Sequence, residues 1–355
     1  MSTPNLIKTL KAAWLQTPRQ WGLPELNAHW DADTLLIELR ENNLDLLFLK
    51  LATEAELDDN LTVALLPKLI TAYRVEKGAQ LLIDAEIARV ARAVAAFPCL
   101  FLKGRVLATQ LGLDLYKRSG DIDLLFYKSD LRKVIPVFQR LGYKLIFSEA
   151  NGEFSMQNAA GLIVDVHYNL SASSTFICVS RLRVHEWFSD ATGVEVGAQR
   201  VPTLSITRTF THLCLHFAVN HRFNDYLLLF ELVQYLRCYG AQLDRAWITA
   251  YAAKHRFNVL VYLTLRLITS HAPDLLDANW LTALGANAAL RSRAEHFLAE
   301  HNLVAAILLP QDNDLEVNDV PKLCADTFYK KVLYQQGIQY WNFKVFDRSF
   351  KAAFK

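Results

Sequence analysis

Three carboxylates in this chain have the type and spacing to do chemistry. Asp121 and Asp123 stand two apart in Asp-Ile-Asp-Leu-Leu-Phe, residues 121–126, and Asp165 lies in Val-Asp-Val-His, residues 164–167. Both runs are short and apolar, as strands are, and a strand turns successive side chains to opposite faces. Asp121 and Asp123 therefore share a face, and so do Asp165 and His167. Two like charges this close repel, so the pair needs a proton, a cationic side chain or a metal ion between them. An all-oxygen set suits Mg2+ or Mn2+, which joins carboxylates to substrate phosphates. With the third carboxylate on a neighbouring strand, the set has the makings of a two-metal phosphoryl-transfer site.

The surrounding elements read as a small mixed sheet. Pro98–Leu102 is a short strand, and Lys103-Gly104 turns the chain into a helix from Arg105 to about Leu113. Gly104 lets the backbone approach a phosphate, with free N–H groups of the helix start beside it. The Asp121–Phe126 strand leads to a helix over Ser129–Arg140, with Ser129 as N-cap and Pro136 inside it. Gly142 closes that helix, and strands follow at Tyr143–Phe147, Glu153–Gln157 and Leu162–Tyr168. The order is β-α-β-α-β-β-β, with helices on one side of the sheet.

Helical periodicity flanks this core. Before it, one stripe carries Leu6, Leu10, Ala13 and Trp14. A second, from Asp31–Thr34, carries Leu35, Leu36, Leu39, Leu44 and Leu47. Pro67 predicts a break or kink, and Ala79–Ala96 is helical. After about Ser171 the pattern returns to helix, over Thr209–Val219, Tyr226–Cys238, Trp247–Lys254, Val259–Ser270, Ala288–His301 and Tyr329–Phe354, with a loop at Gln311–Asp319. The fold class expected is α/β (α+β): an N-terminal helical region over 1–78, a mixed-sheet core over 79–175 and a C-terminal helical domain over 176–355.

Composition narrows the function classes. The chain has 355 residues, 52% hydrophobic and 21% charged, which describes an ordered globular protein. A net charge of +2 gives no general case for nucleic-acid binding. Five scattered cysteines without a Cys-x-x-Cys pair fit reduced thiols rather than a disulfide framework. No signal-peptide core and no run of roughly 18 apolar residues is present, so a cytoplasmic protein with no membrane partner is expected.

The combination of Lys103-Gly104, Arg118-Ser119-Gly120-Asp121-Ile122-Asp123 and the Val-Asp-Val-His strand resembles the uncharacterised nucleotidyltransferase family of the DNA polymerase beta-like superfamily. The likeness runs from about Ala79 to Arg237 and takes in a His-containing helix pair, Leu213-Cys-Leu-His216 and Leu227-Leu-Leu-Phe-Glu231. The resemblance implies transfer of a nucleoside monophosphate from an NTP, such as ATP, to an acceptor, with release of pyrophosphate. It implies that Asp121, Asp123 and Asp165 are catalytic and hold Mg2+ or Mn2+. It further implies that Lys103, Gly104, Arg118, Ser119, Gly120 and His167 bind the nucleotide, His167 touching a phosphate or orienting Asp165. Arg118 reads equally well as a structural cap of the Asp pair. The sequence departs from the superfamily in the phosphate turn, where Gly104 is followed by Arg105, and in carrying Glu231 where the family often has Asp.

His216, Arg222 and Glu231 are candidates for the substrate cleft. His212, His216 and Asn220 share one helix face, but without a Glu-x-x-His pattern or a nearby cysteine they make a poor zinc site. The acceptor is unnamed by the sequence; a small molecule is favoured over tRNA or protein, and the oligomeric state is left open. The alternatives are a non-catalytic nucleotide-binding module and a toxin-like enzyme acting on tRNA or protein. The aromatic and basic run Tyr340–Phe354 reads as a terminal helix packed on the bundle, with a membrane or RNA surface as the other reading.

Overall fold

The computed structural model describes residues 3–16, 32–54, 60–113, 115–118, 120–148, 152–171, 176, 180, 182–308 and 323–324. Three short helices open the chain: α1 (Thr3–Gln16), α2 (Ala32–Glu41) and α3 (Asp45–Glu54). The single leucine stripe expected beyond residue 31 is split between α2 and α3 by Asn43, which takes a left-handed φ of 56°. The long α4 (Asn60–Val94) follows, and it carries Pro67 inside it without a break.

Seven strands then form one mixed sheet: β1 (Cys99–Phe101), β2 (Asp121–Phe126), β3 (Lys144–Ser148), β4 (Glu153–Gln157), β5 (Ile163–His167), β6 (Thr192–Val196) and β7 (Gln199–Thr203). Their order is β3-β4-β5-β2-β1-β7-β6. β2 runs parallel to β5, and β1 parallel to β7; the other neighbours are antiparallel. The β6–β7 hairpin lies in a stretch expected to return to helix. It adds two strands beyond β1 and was signalled by alternating Val194, Val196, Val201 and Thr203 around Gly197.

Alternation along the strands divides the core. Ile122, Leu124 and Phe126 of β2, Phe101 of β1 and Val164 and Val166 of β5 pack with Ile83, Ile87 and Val90 of α4. Val134 and Phe138 of α6 (Leu131–Arg140) close the same side. Leu125 and Leu100 face the other way, into a core shared with α1–α3 and the helices after the sheet. Helices thus cover both faces, not one, because β1 and the end of β2, Leu124–Phe126, are apolar on both sides. The helix expected over 129–140 begins at Leu131 after a single 3-10 turn, and no side chain caps it, so Ser129 is not its N-cap.

Between β1 and β2 lies α5 (Lys103–Gln110). Behind the sheet come α7 (Ile206–Leu215), a π-helical turn over His216–Asn220, and α8 (Tyr226–Tyr239). The bundle is completed by α9 (Arg245–Lys254), α10 (Asn258–His271), α11 (Ala278–Leu284), α12 (Ala288–Glu300) and α13 (Leu303–Ala306). The segments expected at Gln311–Asp319 and Tyr329–Phe354 lie outside the described residues. Among the described residues no helix is long and apolar enough to cross a membrane.

Candidate active site

Parallel pairing of β2 with β5 sets Asp123 opposite Asp165 and Asp121 opposite Ile163. Residues two apart on β2 and the facing residue on β5 therefore project from one face, and Asp121, Asp123 and Asp165 each offer an oxygen within 4.8 Å of the others. Crowding appears in their acidities. The Asp123 charge, with burial, pushes the Asp121 carboxyl up to about 6, against the pull of Lys103 and Lys117. Burial raises Asp165 as well, with Ser155 opposing and the Asp123 charge adding to it. Asp123 goes the other way: burial alone would raise it, but Lys103 and His167 outweigh burial and hold it well below the usual carboxylate range.

Those two cations share one oxygen. Lys103 Nζ and His167 Nε2 each lie 2.9 Å from Asp123 Oδ1. The second ring nitrogen of His167, Nδ1, is 2.9 Å from Glu153 Oε2. Burial disfavours the charged ring, yet bonds to two carboxylates raise its pKa to about 9. His167 thus shares Asp165's face, as expected, but its bonds run to Asp123 and Glu153. Glu153 was missed in the sequence; it sits opposite His167 in the antiparallel β4–β5 register, which is the signal that places it.

The Lys103-Gly104 turn is tied to β2, the Leu102 N–H donating to the Asp123 carbonyl at 2.9 Å. Gly104 has φ 50° and ψ −125°, a combination that residues with a Cβ rarely adopt, and lies against the Asp121 carbonyl and Asp123 Oδ2. The unusual Arg105 turns back toward α4, where its Nε lies 2.7 Å from Asp84 Oδ1. Its guanidinium anchors the start of α5, which explains an arginine at the end of a phosphate-type turn.

Arg118 grips Asp45 of α3 with two nitrogens, at 2.9 and 2.7 Å, and reaches toward Glu76 of α4. It ties the loop before β2 to the N-terminal helices. Gly120 has open space where a Cβ would stand and no positive φ, so its backbone does not itself demand glycine. Ser119 lies outside the described residues.

The remaining candidates lie on the π-helical turn, just after it and on α8. His216 opens the π-helical turn, and burial with the nearby charges of Lys103, His221, His212 and His167 drives its pKa far down, leaving the ring neutral. His212 is pushed to about 3 by burial and by Lys103 and His167. Arg222 follows that turn with a left-handed φ of 51°. Glu231 of α8 is fully buried and accepts from the Tyr116 hydroxyl and from Lys117 Nζ, a partner the sequence had not suggested. Glu231 thus holds the loop before β2 from within the bundle.

Residues 28–273 match the uncharacterised nucleotidyltransferase family. That span is well over half the chain, and the protein belongs to this family: it is an enzyme of the nucleotidyltransferase class. The match extends on both sides of the stretch from Ala79 to Arg237 that carries the sequence resemblance. No curated protein matches the chain. Among solved structures, it is similar to the lincosamide antibiotic adenylyltransferase LnuA with lincomycin bound, at 13% identity and a TM-score of 0.30, over 44% of this chain and 94% of that one. A likeness of that size says nothing about substrate.

Proposed function

We propose that the protein moves a nucleoside monophosphate from an NTP to a hydroxyl of a small-molecule acceptor, with Mg2+ or Mn2+ as cofactor, releasing pyrophosphate. The observation that carries this reading is the pairing of Asp123 with Asp165 across β2 and β5, which gathers three carboxylates beside the Lys103-Gly104 turn. The residues fit a divalent cation on chemical grounds. All three donors are hard oxygens, and Asp165 Oδ1 is buried with no hydrogen-bond partner. Asp121, Asp123 and Asp165 would hold the ion, and the chemistry it supplies when bound is neutralisation of charge on the attacking and leaving oxygens.

The chain's own side chains account for the rest. Lys103, fixed on Asp123, presents positive charge where the triphosphate would lie, and charge-assisted contacts of this kind contribute on the order of 1.5–3 kcal/mol each. Gly104 lets the backbone come close to a phosphate. His167, braced by Glu153, holds Asp123 in place. Asp165 faces the acceptor side and helps to activate its hydroxyl. Three cations around the site are each matched to an acid: Lys103 to Asp123, Lys117 to Glu231 and Arg118 to Asp45. A basic track for an RNA backbone would need such charges unmatched, and this favours a small acceptor.

The test is pyrophosphate release from each of the four common NTPs, with Mg2+ or Mn2+, against a panel of hydroxyl-bearing small molecules. Release with one donor, dependent on metal and lost in Asp165→Asn, is the expected result. Release that persists in Asp165→Asn would refute the assignment.

A further inference from the structure

The sheet register carries the carboxylate site outward in a direction the transfer reading leaves unused. Asp123 of β2 pairs with Asp165 of β5, Asp165 with Ser155 of β4, and Ser155 with Phe147 of β3. Cross-strand partners share a face, so Phe147 stands in one row with the two carboxylates. At about 4.8 Å per strand, its backbone lies roughly 10 Å beyond Asp165. The Lys103-Gly104 turn follows β1, on the other side of β2. The row therefore leads away from the place given to the triphosphate.

A bulge sets the side on which Phe147 lies. Leu145 pairs with Met156, Ile146 is skipped, and Phe147 takes the place opposite Ser155. Met156 is fully buried with the α4 and α6 side chains. Strict alternation would send Phe147 to that side with Leu145. The extra residue brings it to the carboxylate face instead, the re-aiming that bulges at sheet edges perform. There the ring is 48% exposed.

The two faces of these strands are unlike. Phe154, Met156, Val164 and Val166 are 0% exposed on the α4 side. On the carboxylate side Ser155, Gln157 and Ile163 stay half-buried, and none is charged. Glu153, the acid on that face of β4, is taken up by His167. The Ser155 hydroxyl bonds the Asp165 carboxylate, and Gln157 Nε2 donates to the Gly161 carbonyl at 3.0 Å. The strip thus runs from a carboxylate, past neutral polar and aliphatic side chains, to an exposed ring. It matches a neutral molecule with a hydroxyl at one end and a flat ring at the other, because aromatic rings stack on one another.

We infer that this strip of β5, β4 and β3 is the acceptor subsite, and that Phe147 selects neutral hydroxyl compounds bearing a planar ring. The inference rests on the transfer reading above and names the acceptor class.

The test uses the full chain labelled with 4-fluorophenylalanine, the Phe147 fluorine signal being assigned by its loss in Phe147→Ala. The probes are phenyl β-D-glucopyranoside and methyl β-D-glucopyranoside, which differ only in the ring. The phenyl glucoside should move the Phe147 signal and bind about tenfold more tightly than the methyl glucoside. That preference should fall below about twofold in Phe147→Ala and persist in Leu145→Ala, whose side chain lies on the opposite face. Equal binding of the probes, a Phe147 signal that neither moves, or the same loss in Leu145→Ala would overturn the inference. So would a Phe147 signal that moves on raising the protein concentration alone, which makes β3 an interface between copies. Loss of the Mg–NTP thermal shift in Phe147→Ala would also overturn it, by making the ring a nucleobase contact. Failure of the transfer reading shows separately, as wild-type protein with no metal-dependent thermal shift on any NTP, whatever the two glucosides do.

Discussion

Asp123 and Asp165 face each other across two parallel strands, yet only Asp123 is neutralised from within the protein. Lys103 and His167 converge on Asp123, whereas Asp165 Oδ1 is buried and unpartnered. The three carboxylates are therefore unequal: Asp123 is satisfied by the fold, and Asp121 and Asp165 crowd the space that the proposed cation would fill.

That asymmetry separates two isosteric variants. Removing both charges of the pair at once would be expected from sequence to leave stability unchanged or higher, but the ion pairs change this. In metal-free protein at neutral pH, Asp121→Asn should leave stability unchanged or raise it, by on the order of 1–2 kcal/mol, because an acid raised by a like charge penalises the folded state above its pKa. Asp123→Asn should lower it by on the order of 2–4 kcal/mol, since Lys103 and His167 lose their shared partner. Urea unfolding of both variants checks this, and equal effects would contradict it.

Gly104→Ala tests the turn. With φ 50° and ψ −125°, an alanine is strained by on the order of 1–3 kcal/mol even though its Cβ would meet only ordinary contacts. Stability should fall by that amount and NTP-induced stabilisation should weaken. A variant as stable as wild type would show that the turn relaxes freely.

Arg118 separates anchoring from substrate contact. Its partner Asp45 is fully buried, and among the described residues its other cation, Arg40, stands 3.9 Å away. Arg118→Met should cost about 2–4 kcal/mol in denaturant unfolding, as a buried acid is left without its main partner, and should change the KM for NTP by less than about threefold. A large rise in KM with stability intact would instead make Arg118 a phosphate ligand.

A buried lysine gives the pH dependence. Lys11, 4% exposed, has its pKa lowered from 10.5 to about 8 by burial, with the Asp225 charge opposing. Between those values the unfolded chain holds a proton that the folded protein has released, so this group makes stability rise with pH from about 8 to 10.5. The contribution is on the order of 2–3 kcal/mol. Lys11→Met should be the more stable protein at pH 7, and its advantage should shrink across that window. Unfolding curves that stay parallel between pH 7 and 10.5 would rule this out.

The clustering of the three carboxylates was legible because it rests on local rules. Strand alternation aligns Asp121 with Asp123, and an apolar run with one acid marks Asp165. The helices at 226–239, 245–254 and 258–271 followed from periodicity. What stayed hidden depends on distant partners or on single residues. Nothing near Arg118 points to Asp45, 73 positions away, and nothing near Lys117 points to Glu231. The β6–β7 hairpin was overlooked although Gly197-Ala198 is a two-residue loop with glycine first, a pattern that favours hairpins. At Pro67, where a break or a kink is expected, the helix runs on unbroken.

The measurement that bears most directly on the central claim is a thermal shift with each NTP, with and without Mg2+, on wild type and Asp165→Asn. At about 100 times its dissociation constant, a bound NTP should add roughly 2.7 kcal/mol of stability. The expected result is a shift with one NTP that requires Mg2+ and disappears in Asp165→Asn. An equal shift without metal, or one that survives in Asp165→Asn, would contradict a metal-dependent nucleotide site on these carboxylates.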